Sequence, residues 1–136
     1  MLDLEQVMIL LQRSNNVLRE MDRLTDELQD AVSREDHVSA SLLLRLRAEE
    51  MEKYDGCREQ ILLLAETGPE EARLIQELVF SNPDSLAERR PGRPEEQKIC
   101  DIRRNTVRLI SAIREKDRRL NSRVGGDRSF YAEAGK

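Results

Sequence analysis

Residues 4–32 read LEQVMILLQRSNNVLREMDRLTDELQDAV, and the spacing of apolar side chains in this stretch decides the fold. Leu4, Leu11, Leu18 and Val32 recur at one heptad position and Val7, Met21 and Leu28 at another, interrupted only by Thr25 and Ser14. Residues three and four apart share one side of a helix, so a 3.5-residue repeat held over about four heptads predicts a long α-helix. Its narrow apolar seam is expected to face one or two partner helices. Asn15 and Asn16 weaken the local propensity slightly, but no Pro or Gly breaks the run.

Around Ser33-Arg34-Glu35-Asp36 the pattern loses phase, which predicts a kink or a tight turn, with Ser33 or Asp36 capping a new helix through its free first-turn N–H groups. A second helix is expected to run to about Glu66, with Val38, Leu42, Leu46, Tyr54, Cys57, Ile61 and Leu64 on its inner face. The mostly polar stretch from Arg47 to Lys53 leaves that face thin in the middle. Thr67-Gly68-Pro69-Glu70-Glu71 combines a chain reversal, Pro at a first helical position and acids against the helix dipole, so a short third helix begins here. Ala72, Ile75, Leu78 and Val79 form its expected buried face, and Asn82-Pro83-Asp84 its end.

Residues 85–94, with Arg89-Arg90-Pro91-Gly92-Arg93-Pro94, are expected to be a loop. Pro94-Glu95-Glu96 opens a last helix over 95–124, amphipathic and basic, in which Ile99, Ile102, Thr106, Leu109, Ile113 and Leu120 recur at spacings of three, four and seven. Ile110 widens that stripe beside Leu109. Gly125-Gly126 suits a helix stop, and 125–136 is a short polar tail containing Phe130-Tyr131. The fold class is therefore all-α, a long helical hairpin with a short third helix (1–84), a loop, a basic C-terminal helix and a tail, in one domain.

Composition agrees with this class. Charged residues make up 37% of the 136 residues and aromatics only 3%, so the core has to come from Leu, Ile, Val, Met and Ala, which suits helices better than sheets. The net charge of −4 hides a dipole: residues 1–88 carry 20 acids against 9 bases (−11), and residues 89–136 carry 7 acids against 14 bases (+7). Either the basic helix packs on acidic helices of its own chain, with its charges in solvated pairs, or it offers a surface to a partner. The longest apolar runs are far too short to cross a bilayer, and no secretory signal opens the chain, so a cytoplasmic location is expected.

Catalytic chemistry finds no foothold, and no enzyme activity or cofactor is expected. His37 has no second histidine at helical spacing and no cysteine pair nearby, so no metal site is predicted. Cys57 and Cys100 lack a C-x-x-C spacing and read as buried seam residues. Phosphate-cradling and nucleophile-elbow glycine motifs are absent, and pairs such as Glu49-Glu50 have no second catalytic group placed opposite. Nucleic-acid binding through the arginines from Arg89 onward stays open as an alternative, weakened by the acidic first 88 residues and the lack of interleaved aromatics.

Three features together resemble the FlgN-like flagellar export chaperones. They are a leading pair of Leu-, Glu- and Arg-rich helices ending in Arg58-Glu59-Gln60-Ile61-Leu62-Leu63-Leu64, a late helix carrying Asn105-Thr106-Val107-Arg108-Leu109-Ile110, and a tail reading Ser129-Phe130-Tyr131-Ala132-Glu133-Ala134-Gly135-Lys136. The Pro-rich loop and the strongly basic last helix depart from that pattern. The resemblance implies a non-catalytic cytoplasmic chaperone or adaptor whose last helix, through Ile102, Leu109, Ile113 and Leu120, takes a helical segment of a hook-associated export substrate by helix-in-groove packing. It also implies that Tyr131 is a docking contact for the secretion apparatus. On the residues alone the same stripe can pack on the first two helices, and the heptads from Leu4 to Val32 can equally mate with a second copy in a self-associating coiled-coil homodimer.

Overall fold

The computed structural model describes residues 1–88 and 92–124, which form five helices and, among the described residues, no strand. They are α1 (Leu4–Ser33), α2 (His37–Ala65), α3 (Pro69–Val79), α4 (Pro83–Glu88) and α5 (Pro94–Val124). The all-α class follows directly. Arg89 to Pro91 and the tail, with Tyr131, lie outside the described residues.

Asp3 caps α1 by accepting from the Gln6 amide at 3.2 Å. Every expected seam residue of α1 from Leu4 to Leu28 is buried, the interrupting Ser14 and Thr25 included; Val32 is half-buried. The hydroxyls of Ser14 and Thr25 donate to the Leu10 and Met21 carbonyls one turn back, which makes their burial tolerable. Leu10, Leu24 and Ala31, at a third heptad position, are buried too. The buried face of α1 is wide because two long helices, α2 and α5, pack on it from either side.

Glu35 adopts the left-handed conformation (φ 56°), and the Asp36 amide donates to the Ala31 carbonyl at 2.8 Å, so α1 ends in a Schellman-type reversal. Asp36 then caps α2 by accepting from the Ser39 amide at 3.1 Å. The two alanines nearest this turn, Ala31 and Ala40, pack into one cluster, where their small side chains let the helices close. That contact sets the phase of α2. Ala40, Leu43 and Arg47 face α1, whereas Val38 and Leu42, expected inside, are 84% and 52% exposed. Further along, Cys57 and Ile61 are buried as expected, and both cysteines are free thiols.

Pro69 and Pro94 occupy the first positions of α3 and α5, where a missing N–H costs nothing. Pro83 does the same for α4. Residues 85–88, expected in the loop, complete this helix because the Asn82 side chain accepts from the Asp84 amide (2.8 Å) while its carbonyl accepts from Leu86 (3.0 Å). Asn82-Pro83 thus ends one helix and starts another, and Leu86 becomes core. In α3, Ile75 and Leu78 are buried, but Ala72 is exposed.

The core has three levels along α1. At its N-terminal end, Leu4, Val7 and Leu11 meet Ile61, Ile75, Leu78, Leu86, Ile99 and Cys100. At its C-terminal end, Leu24, Leu28 and Ala31 meet Ala40, Leu43 and Leu120. The waist between them buries only Leu18, Met21 and Ile113, with Tyr54, Leu109 and Ile110 half-buried around them. These levels place α5 parallel to α1 and α2 antiparallel to both.

Candidate functional site

Because α2 and α5 each pack on α1 rather than on one another, a groove runs between them with α1 as its floor. Toward the α3 end it opens into a cavity of about 250 Å³, with Leu11 and Ser14 beneath, Tyr54, Arg58 and Ile61 on the α2 side, Val107 and Ile110 on the α5 side, and Phe80 closing the end. A second cavity of about 280 Å³ continues it past Tyr54 and Ile110, over Leu18 and Met21, to Met51 and Ile113. Met51 and Val107, 53% and 50% exposed, form the apolar lips. From Arg58 to Arg47 along α2 the groove spans about 16 Å, room for a partner helix of three turns.

Polar groups bound the groove. At one end Arg47 of α2 pairs with Asp117 of α5 at 2.9 Å, the only direct ion pair between these helices among the described residues. At the other, Arg103 donates to the Leu78 carbonyl at 3.0 Å and to the Ser81 carbonyl, capping the last turn of α3. Burial holds the Arg103 pKa below its ordinary value and pushes the Tyr54 phenol above its own, since both sit where water is scarce. Arg58 lies over the Phe80 ring, 5.5 Å from its centre.

The residues singled out in sequence are placed unevenly. Ile113 and Leu120 are core residues, 6% and 1% exposed; Ile102 and Leu109 are half-buried against the N-terminal and middle levels of the core. The stripe of α5 thus packs mainly on α1, and of the four only Ile113 also lines the groove. Tyr131 lies outside the described residues. The groove is made instead by Met51, Tyr54, Val107 and Ile110. Ile110 was visible as a widening of the stripe and Tyr54 as part of the inner face of α2, whereas Met51 sits in the polar stretch of α2 and Val107 one position beyond the stripe residue Thr106.

The α1–α5 contact is fixed by polar groups as well. The Asn15 side chain donates to the Ile102 carbonyl at 3.0 Å and accepts from the Thr106 hydroxyl. Lys116 reaches Asp22 and Asp26 of α1 at 2.7 and 2.8 Å. Burial disfavours its charge, but those two carboxylates outweigh burial and raise its pKa. Part of the basic helix therefore does pack on acidic α1, while Arg118 and Arg119 pair with Glu115 on their own helix.

Among the described residues no cluster of His, Cys, Asp and Glu is placed to hold a metal, and no helix is long and apolar enough to cross a membrane. Comparison with known proteins brings no match: no family model, no curated protein and no solved structure pairs with this chain.

Proposed function

We propose that this chain is a non-catalytic binding protein that takes a helical segment of a partner protein into the groove between α2 and α5. The observation that carries the reading is the exposure of Met51 and Val107 on the lips of a groove floored by Leu11, Leu18 and Met21. An amphipathic helix laid there would cover these side chains and complete a fourth position beside α1. Each large aliphatic side chain it buried would be worth roughly 1.5–3 kcal/mol, enough for a few anchors to exceed the ordering cost.

The resemblance to FlgN-like chaperones, resting on the motifs quoted above, names the partner as an export substrate of the hook-associated class. The docking surface then differs from the one that resemblance implies: it is the groove beside α5, not the stripe of α5 itself. The test is capture from a flagellated bacterial lysate by the full chain and by its Val107→Asp and Met51→Asp variants. Recovery of a hook-associated protein by the unmodified chain, lost in both variants, supports the reading. Equal recovery by all three places the binding elsewhere, and recovery of only the chain's own copies leaves the self-associating coiled coil.

A further inference from the structure

The end of the groove near Val107 is surrounded by four arginines, of which only Arg104 has an acidic partner among the described residues. Arg58 and Arg103 line the cavity on one side of Val107, and Arg104 and Arg108 line a neighbouring depression on its other side. Asp84 is the one acid lining either cavity among the described residues. It meets Arg104 at 3.6 Å from a side chain that is 82% exposed. Arg103 donates to carbonyls, Arg108 donates to the Asn105 amide oxygen at 3.3 Å, and Arg58 lies over the face of Phe80. These contacts of Arg58, Arg103 and Arg108 are all with neutral groups, so no carboxylate compensates their charge, and Arg104 Nε is buried without a hydrogen-bond partner.

We infer that this end of the groove selects a partner helix bearing carboxylates, with acidic side chains flanking the apolar stripe that enters between Val107, Ile110 and Ile61. The inference rests on the groove being a docking site. Charge complementarity of this kind sets specificity and register more than raw affinity. It acts here against the long-range field, since residues 1–88 carry a net −11 and repel an acidic ligand at a distance. A preference for carboxylates would therefore report the local collar of arginines. A nucleic acid would also meet those cations, but its sugar-phosphate backbone would leave the apolar cavity unfilled, and Phe80, beneath Arg58, is poorly placed as a stacking platform.

A displayed library of 16-residue helices tests this, with a fixed apolar stripe and flanking positions drawn from Glu, Gln and Lys, selected on the full chain. Glu is expected to be enriched. The best binder should weaken roughly ten-fold on the double change Arg58→Gln and Arg108→Gln, both at exposed positions. Changing Arg118→Gln and Arg119→Gln, which removes equal charge elsewhere on α5, should weaken it less than about two-fold. Enrichment of Gln or Lys, or an equal loss in the two double variants, overturns the inference while leaving the groove intact. Tighter binding of a 16-base-pair DNA duplex through the same arginines overturns it in favour of nucleic acid. Failure to recover any helix overturns the groove reading and this inference with it.

Discussion

Arg47 and Asp117 meet at 2.9 Å at the C-terminal end of the groove, with only 10% of the Arg47 side chain exposed. Arg47 fills the place in α2 where the apolar pattern is thinnest, and its charge is tolerable there only because Asp117 faces it. The pairing is incomplete: Arg47 Nε and Asp117 Oδ1 are both buried without a hydrogen-bond partner. Removing one charge strands the other, whereas removing both relieves the cost of desolvation. Asp117→Ala should therefore destabilise the fold by about 2–3 kcal/mol, below the cost of breaking a fully buried pair because Asp117 keeps contact with water. The double change Arg47→Met, Asp117→Leu should stay within about 1 kcal/mol of the unmodified protein. Urea unfolding monitored by circular dichroism decides; equal losses in both variants would show that the charges themselves stabilise the bundle.

Asn15 is 1% exposed and holds α5 in register through the Ile102 carbonyl and the Thr106 hydroxyl. Asn15→Ala is expected to cost about 1–3 kcal/mol, from lost hydrogen bonds and packing. Thr106→Val should cost less, because Val keeps the shape of Thr and the hydroxyl has a single proton, shared between Asn15 and the Ile102 carbonyl of its own helix. The two losses should fall short of additive in a double-mutant cycle by about 0.5 kcal/mol or more, since both remove the same contact. Strict additivity would mean that the contact contributes nothing to holding the helices together.

Glu35 is the one non-glycine residue with positive φ among the described residues. The left-handed conformation costs an ordinary residue about 1–2 kcal/mol, while glycine loses about 0.5–1 kcal/mol in extra unfolded-state entropy. The balance favours glycine here. Glu35→Gly should raise stability by about 0.5 kcal/mol, and Glu35→Ala should give no such gain. Thermal melts of the three proteins compare them directly.

The helices were legible because their signals are local. The heptads from Leu4 to Leu28 marked α1, and Pro69 and Pro94 marked the starts of α3 and α5. The phase of α2 was not legible, because Val38 and Leu42 fit a helical stripe as well as Ala40 and Leu43 do. What chose between them was Ala31 meeting Ala40 across a turn. The α4 helix was hidden because Asn82-Pro83 reads equally as a stop and a start. The groove was least visible of all. It arises where α2 and α5 pack on α1 and meet each other directly through the Arg47–Asp117 pair, and no pattern in either helix alone records the distance to the other.

Acid should weaken the α1–α2 turn. Hydrogen bonds from the Ser39 hydroxyl and amide hold the Asp36 carboxyl below its usual pKa. A group whose pKa is depressed by folding contributes stability above its unfolded value and loses it as the pH falls through the folded one. The contribution of Asp36 is thus present above about pH 4 and is lost on further acidification. Asp36→Asn, which retains an acceptor but cannot titrate, should show a shallower acid limb below about pH 4 in a plot of urea midpoint against pH. Parallel limbs for the two proteins would assign the acid sensitivity to other carboxylates.

The two faces of α5 should separate by a single charge placed on each. Ile113 is 6% exposed in the waist, beside Leu18 and Met21, whereas Val107 is half exposed on the groove lip. An unpaired carboxylate at position 113 removes an anchor of the thinnest core level and buries a charge. Ile113→Asp should cost about 4 kcal/mol or more and unfold a protein of ordinary stability. Val107→Asp leaves its charge in water, beside Arg103, Arg104 and Arg108, and should change stability by less than about 1 kcal/mol. Leu109→Asp, at a half-buried position, should fall between them. Circular dichroism melts of the three variants give the order. Unfolding by Val107→Asp would make that side chain core and remove the groove lip, while a fully helical Ile113→Asp protein with an unchanged melt would mean that α5 is held to α1 by its ends alone.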